Sequence, residues 1–588
     1  MVTHSTLNIE VKKLVAFKIS YFDIIELLNL PDDTSIEELD HLFSFAKSEI
    51  EEHDLADEGY IKVDCKTSNR PDIWGVEGLV REISGTVGLQ EGLAEISAQP
   101  SGFVIEVDPR IKPIRPYIAC SLIKGVRFSD FLIKQLIQLQ EKVDFSYGRR
   151  RRRSSIGIYN ANMLESPIFY GLTSRTTSFY PLGYNEKMTL DEILVRHEKG
   201  IEYGNILPSK GDLPILRDVN GVVLSMPPII NSNDVGRVNE NTTDVLVEVT
   251  GTNLEVVKVV NTLITQAIRD RGGKVYSVEI HYPKNHGDAP IKLVTPETEP
   301  YEIVVNPEDI ENYLNLNLTT KEIIELLRKR RLDAVEKRGS LIVKYPPYRV
   351  DLLHWVDVAE ETAIAYGYMN IEPAGSEVPT IGGLSSRTVS ENYVREILSG
   401  CSLQEVLNFS LTDPKKLSLL MGHNSDVLSS CIQVANPVSL TYSIMRDRLF
   451  PGLLDFLSRN THTEYPQYLF EVGEVVILGD NSVKTINKAA VTLAGAEVSF
   501  EYCHSILETL IQTLGTKYKL EVTESPEFIQ GRTARILVEG EEIGLIGEVS
   551  PAVLENWEIF VPVVAFEIDL SLFSTLDLPP IETYEPPE

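Results

Sequence analysis

Residues 436–474, NPVSLTYSIMRDRLFPGLLDFLSRNTHTEYPQYLFEVGE, hold the reading that decides the fold. Asn436-Pro437 closes the preceding segment, because the residue before a proline is pushed toward extended backbone. Arg446 and Arg448 precede Leu449-Phe450-Pro451-Gly452, a sharp break into a new element. From Leu453 the apolar residues Leu453, Leu454, Phe456 and Leu457 share one helical face, and Leu469 to Val472 reads as a buried strand. The order is strand, arginine-bearing loop, helix, strand. An ordinary α/β core with solvated arginines accounts for this stretch equally well, so the other segments must decide.

Working outward, 588 residues exceed a single core, and a prior of ~150 residues per domain suggests about four domains. A hydrophobic fraction of 43% with 8% aromatics excludes a disordered chain. The formal charge of −31 excludes a protein that grips nucleic acid over its whole surface; any RNA contact must use local basic patches. Cys65, Cys120, Cys401, Cys431 and Cys503 are scattered and odd in number, which argues against a disulfide framework or a zinc site and for a reducing compartment. The amino-terminal MVTHSTLNIEVKK lacks the apolar core of a signal peptide. No apolar run reaches the ~18 residues of a membrane helix, so a cytoplasmic protein is expected.

Four domains are expected, at 1–110, 111–292, 293–375 and 376–588. In the first, Ser35 with Glu38 forms a capping box, Tyr60 to Val63 reads as a strand, and Asn69-Arg70-Pro71-Asp72 turns the chain into a helix. In the second, Arg149, Arg150, Arg151, Arg152 and Arg153 run consecutively. They form either a solvated loop or an RNA-facing loop, since guanidinium groups grip phosphate bidentately. Further on, Asp244 to Thr252 alternates as a strand, and Thr252 with Glu255 caps a helix from Leu254 to Ile268. Gly272-Gly273 ends that helix and Val275 to Ile280 returns, completing a β-α-β unit. His197 has no partner at metal-ligand spacing and reads as structural.

In the third domain, Thr319 with Glu322 caps a helix ending in Arg328-Lys329-Arg330-Arg331, and two short strands split at Arg338-Gly339-Ser340 follow. Helices followed by a hairpin suggest a winged-helix-like module. The segment PPYRVDLLHWVDVAEETA, residues 346–363, places Asp357, Glu360 and Glu361 on one helical face, with Asp351 entering from the preceding segment. Carboxylates that converge need a hard cation such as Mg²⁺; the alternative is a helix amino terminus with Asp357 as N-cap and Glu360 completing the box. In the last domain FIQGRTARI (528–536) and GEEIGLIGEVSPAVL (540–554) follow, and Gly544-Leu-Ile-Gly547 lacks the spacing of a phosphate loop.

The opening stretch resembles motif 2 of the class II aminoacyl-tRNA synthetases. More closely, NP, arginine and LFPGLL in this order resemble the phenylalanyl-tRNA synthetase beta subunits, and so does NRPD-W-x-x-EGL-x-RE at residues 69–82. Collinear matches over nearly the whole chain identify it as similar to the shorter archaeal and eukaryotic type. The resemblance implies an α+β multidomain protein. Its parts would be a class II aminoacyl-tRNA synthetase-like, catalytically inactive antiparallel-sheet core, an α/β editing domain and a winged-helix-like domain. The core lacks a motif 3, whose arginine serves ATP. The family implies an α2β2 heterotetramer in which an alpha subunit uses ATP and phenylalanine to charge tRNA-Phe. The beta subunit would contact tRNA, share Mg²⁺ with alpha through Asp351, Asp357, Glu360 and Glu361, and hydrolyse Tyr-tRNA-Phe. Leu216, Ser225, Asn231, Arg237, Glu248 and Thr250 fall at the editing-pocket positions of the pattern. The competing expectation is a non-enzymatic scaffold or RNA-binding subunit with an inactive pocket.

Overall fold

The computed structural model describes residues 16–575 except 56–58, 95, 374, 376–381, 424–427, 430 and 480–481, so the amino-terminal stretch read above lies outside it. The chain forms two compact units, residues 1–374 and 375–588.

The first unit opens with a three-stranded antiparallel sheet in the order Ala16–Ser20, Tyr60–Cys65, Ser48–Asp54. Helices Tyr21–Leu28, Ile36–Ser44 and Val76–Thr86 follow its strands, and the Ser35/Glu38 capping box is formed as expected. A ten-stranded sheet comes next. Nine strands run in the order Ile230–Asn231, Val223–Met226, Leu213–Arg217, Ile168–Thr173, Gln99–Val107, Lys274–His281, Tyr117–Lys124, Val245–Gly251, Ser154–Asn160; Lys292–Thr295 pairs on Lys274–His281. Gln99–Val107 lies before the expected boundary at 110, yet it is the inner strand that pairs in parallel with both its neighbours. Its ladder hydrogen bonds therefore tie it to this sheet, with the Val104 amide donating to Ser166 Oγ where the register shifts. Helix Leu254–Asp270 crosses between Val245–Gly251 and Lys274–His281, which are separated by Tyr117–Lys124, so the expected β-α-β unit is a split one. Its N-cap is Asn253, accepting from the Val256 amide, one residue past the expected Thr252.

Residues 301–345 add a three-stranded sheet ordered Tyr301–Val305, Ser340–Tyr345, Asp333–Lys337, with helices Pro307–Leu314 and Thr320–Lys329; helix Trp355–Tyr366 follows. The Thr319/Glu322 box is formed. The hairpin turns at Arg338 and Gly339, both at positive φ.

The second unit is built on a seven-stranded sheet: Gln404–Glu405, Gln467–Leu478, Val483–Ala494, Val563–Asp569, Glu541–Val549, Phe528–Val538, Tyr518–Val522. Every pair is antiparallel except the short edge strand Gln404–Glu405 against Gln467–Leu478. The sheet is covered on both faces. Ala489, Val491 and Leu493 pack with helices Ser386–Gly400 and Phe500–Thr513, while Ala490 and Ala494 pack with helix Phe450–Arg459. Period-2 alternation between two apolar layers is why AAVTLA reads as a continuous apolar run.

Candidate functional site

Three short strands bring one row of expected residues together: Leu216 lies opposite Ser225, and Ser225 opposite Asn231. On the far side of the sheet's path, Glu248 lies opposite Gly157 and Thr250 opposite Ser155. Period-2 alternation puts Glu248 and Thr250 on one face. Between these strands and helix Asp130–Phe145 is a cavity of about 310 Å³ whose lining includes Ser225, Asn231, Arg237 and Glu248. Leu216 and Thr250 are not part of that lining. Leu216 is fully buried in an apolar cluster, and the Thr250 hydroxyl accepts a hydrogen bond from Arg115 Nε at 2.9 Å.

Tyr159 holds this group together. Its hydroxyl lies 2.7 Å from Glu248 Oε2, 2.8 Å from Ser225 Oγ and 3.5 Å from Asn231 Oδ1. Burial pushes the Glu248 carboxyl up to about 7, while the Tyr159 hydrogen bond, the Arg115 charge and the Thr250 hydroxyl act the other way. Oε1 of Glu248 is buried with no hydrogen-bond partner. Gly157 is required opposite it: a Cβ there would stand 2.6 Å from Glu248 Oε2 and closer still to the Tyr159 hydroxyl. Sequence reading missed Tyr159, Gly157 and Arg115. The alternation in SSIGIYN aims Tyr159 at Glu248 only once that strand is known to pair with VLVEVTG.

The five arginines do not act alike. Arg149, Arg150 and Arg151 sit at positive φ in a tight turn, with Arg149, Arg150 and Arg152 exposed. Arg150 lies over the Phe145 ring and Arg153 over Tyr147. Arg151 turns to the cavity instead. Its Nη1 donates to the carbonyls of Pro228 (3.1 Å) and Ile229 (2.9 Å), and its Nε lies 3.4 Å from buried Asp144. Burial pushes the Asp144 carboxyl up to about 7, against the pull of Arg151 and Arg115. Arg237 is exposed at the cavity rim. His197 is a helix N-cap whose ring nitrogen accepts from the Lys199 amide, the structural role expected.

The carboxylate quartet is arranged differently from the magnesium cage that was expected. Asp351 receives a two-pronged pair from Arg349 at 2.9 and 2.8 Å. Fully buried Glu361 pairs with Arg330 (2.8 Å) and Arg349 (3.0 Å). Asp357 accepts from the amides of Leu353 and His354, so it is the third helical residue of a capping box; the N-cap itself is His354, not Asp357. Glu360 faces Lys47 at 2.8 Å. Among the described residues no group of three or more His, Cys, Asp or Glu is placed to hold a metal ion. In this chain alone guanidinium groups pair with Asp351 and Glu361, backbone amides with Asp357 and the Lys47 ammonium with Glu360. Arg70 extends the network: it grips Asp72 at 2.9 and 2.7 Å and reaches Glu82 at 2.8 Å. Burial pushes Glu361 upward, but Arg330, Arg349 and Arg70 together hold it well below the ordinary carboxylate range.

In the second unit the helix of the opening stretch starts at Phe450, with Pro451 in its first turn, and the following strand is Gln467–Leu478. Neither arginine is solvated. Arg446 pairs with Glu471 at 2.5 Å and donates to the Glu474 carbonyl at 2.9 Å; Arg448 pairs with Glu527 and donates to the Leu417 carbonyl at 3.0 Å. Gly544 lies inside strand Glu541–Val549, where a Cβ would collide with the Glu567 carbonyl.

Residues 303–368 match the tRNA synthetase B5 domain, and residues 371–570 match the phenylalanyl tRNA synthetase beta chain CLM domain. The molecule is thus a mixed α+β multidomain protein of the tRNA-synthetase class. The phenylalanine–tRNA ligase beta subunit of Thermococcus kodakarensis is 40% identical over 555 residues, 91% of this chain and 95% of that one. The beta subunit of Methanococcoides burtonii is 36% identical over 505 residues, 86% of this chain and 91% of its own. The crystal structure of an N-terminal fragment of the Pyrococcus horikoshii phenylalanyl-tRNA synthetase beta subunit, 39% identical, superposes with a TM-score of 0.57. It covers 60% of this chain and 100% of the fragment. The chain belongs to the phenylalanine–tRNA ligase beta subunits, a component of that aminoacyl-tRNA synthetase. Among the described residues no helix is long and apolar enough to cross a membrane.

Proposed function

We propose that the chain works with an alpha subunit in an α2β2 assembly on tRNA-Phe, and that the Ser225–Asn231–Glu248 cavity hydrolyses Tyr-tRNA-Phe made in error. ATP and phenylalanine would be handled by alpha. The observation that carries the editing reading is Glu248: one oxygen bonded by Tyr159, the other buried and unpaired, beside a cavity of small-molecule size. An apolar pocket rejects an added hydroxyl only ~10²-fold, so a phenylalanine site needs a second sieve. A tyrosine hydroxyl donating to Glu248 Oε1 satisfies an atom that phenylalanine leaves bare, a difference of about 1.5–3 kcal/mol. Asn231, half-buried beside Tyr159, would orient the ester or a water, and Arg237 at the rim would meet the tRNA end. Among the described residues lining the cavity there is no histidine to complete a Ser-His-Asp set, so the nucleophile in this reading is a positioned water. Arg149 and Arg152, exposed on the same turn as Arg151, are the residues of the run best disposed to meet phosphate.

The seven-stranded, almost wholly antiparallel sheet supports reading the second unit as a class II-like core without catalysis. Arg446 and Arg448 are held by Glu471 and Glu527 and are not offered to a nucleotide. The helices and hairpin of residues 307–345 support the winged-helix-like reading. The test is deacylation of tyrosyl- and phenylalanyl-tRNA-Phe by the αβ complex, wild type against Glu248→Ala and Asn231→Ala. A tyrosine preference lost in both variants is expected. Equal rates throughout would leave the chain a scaffold with an inactive pocket.

A further inference from the structure

A second cavity, about 510 Å³, lies apart from the editing pocket, where helix Val76–Thr86, the end of helix Leu254–Asp270 and the segment after helix Thr320–Lys329 meet. Three arginines line it, Arg81, Arg269 and Arg331, against two carboxylates, Glu77 and Asp270. Both carboxylates already have arginine partners. Glu77 Oε1 is 2.7 Å from Arg271 Nε, and Asp270 Oδ2 is 2.7 Å from Arg81 Nη2.

Arg331 is different. It is 8% exposed, yet among the described residues no carboxylate lies within ion-pair distance of it. Its Nε is buried without a hydrogen-bond partner, and its Nη2 donates to Gln90 Oε1 at 3.3 Å. Arg331 sits at φ +58°, a backbone state that non-glycine residues adopt rarely. Gly85 makes the close approach possible, because a Cβ there would collide with the Lys329 carbonyl and stand 3.3 Å from Arg331 Cδ. A buried cation without a counter-charge is costly, and proteins keep such groups where something pairs with them. Burial and the neighbouring Arg81 push the Arg331 guanidinium below its ordinary value while Tyr348, Asp270 and Glu82 act the other way from a distance, so an anion seated on Arg331 would supply the close partner it lacks. The mouth is open to solvent at Leu89 and Gln90, and Ser84 and Gln266 add neutral polar groups inside.

We propose that this cavity is a binding site for a small phosphate-bearing solute, with the phosphate held by Arg331. Guanidinium pairs with phosphate oxygens in a two-pronged fork, and the volume leaves room for more than the phosphate. The probe is inorganic phosphate, titrated against the full-length chain at constant ionic strength and followed by phosphorus NMR line width. Saturable broadening is expected. Binding should weaken about ten- to a hundredfold in Arg331→Gln, the equivalent of one lost charge-assisted contact. It should weaken similarly in Leu89→Trp, which narrows the mouth, leaves Arg331 in place and changes a surface position. Arg217→Gln, at an exposed arginine elsewhere, should bind as wild type does. No saturable broadening, wild-type binding by Arg331→Gln, or wild-type binding by Leu89→Trp would each overturn the assignment. Adenosine monophosphate in a parallel arm distinguishes the source: tighter binding than phosphate assigns a monoester, and equal binding assigns the free ion. Displacement of the probe by excess tRNA would transfer the site to the RNA backbone and overturn the small-solute reading.

Discussion

Replacing Gly157 by alanine adds one methyl group against the Tyr159–Glu248 contact beside the cavity. The new Cβ would lie 2.6 Å from Glu248 Oε2 and closer than that to the Tyr159 hydroxyl, both fully packed groups bonded to each other at 2.7 Å. Both contacts are tighter than van der Waals spacing allows, so the Tyr159–Glu248 hydrogen bond must open. Losing a buried hydrogen bond to a carboxylate costs about 1.5–3 kcal/mol. Glu248 cannot retreat with its backbone, because its own strand Val245–Gly251 is paired on both sides, with Ser154–Asn160 and with Tyr117–Lys124. The same shift moves Glu248 by a substantial part of an ångström, enough to lower the proposed deacylation about 10²-fold. Urea denaturation of the chain and deacylation of Tyr-tRNA-Phe by the αβ complex read the two effects separately, while phenylalanine charging by the same complex should not change. A Gly157→Ala protein with both the wild-type denaturation midpoint and the wild-type deacylation rate would refute the role given to the Tyr159–Glu248 contact.

Glu248 also predicts a pH signature. Its folded value of about 7 stands above the usual unfolded value near 4.3, so the folded state binds the extra proton. Its contribution is therefore fully present below the unfolded value and is lost as pH rises through about 7. Glu248→Gln should abolish a decline of on the order of 3 kcal/mol between these limits, seen as the wild-type-minus-variant difference in urea midpoints. Glu361→Gln should destabilise the chain by about 3–5 kcal/mol, since it leaves Arg330 and Arg349 short of a buried partner; a chelator should leave the denaturation of the wild-type chain unmoved. A metal-dependent midpoint would instead support the magnesium reading of the quartet. The isolated chain should catalyse no phenylalanine-dependent ATP–pyrophosphate exchange, because Arg446 and Arg448 are engaged by Glu471 and Glu527; exchange in an alpha-free preparation would count decisively against this.

Local chemistry was legible in the sequence wherever it depends on neighbours along the chain. The Ser35/Glu38 and Thr319/Glu322 boxes, the hairpin at Arg338-Gly339 and the helix after Phe450 all rest on interactions three or four residues long. Alternation likewise placed Glu248 and Thr250 on one face before any partner strand was known. What the sequence could not decide is which charges meet across long separations. The one-face spacing of Asp357, Glu360 and Glu361 is real, but Arg70, Arg330 and Arg349 arrive from up to 291 residues away to take Glu361, as Lys47 reaches Glu360 across 313. Five identical arginines look alike in sequence; only the turn at Arg149 to Arg151 sends one of them toward Pro228 and Ile229. Thr250 belongs to the expected pocket by pattern and lies beneath it because Arg115, 135 residues earlier, bonds its hydroxyl. Helix and strand periods are properties of the backbone and are written along the chain. The identity of a buried ion's partner is set by packing in three dimensions, where pairing is compelled by desolvation and sequence distance counts for nothing.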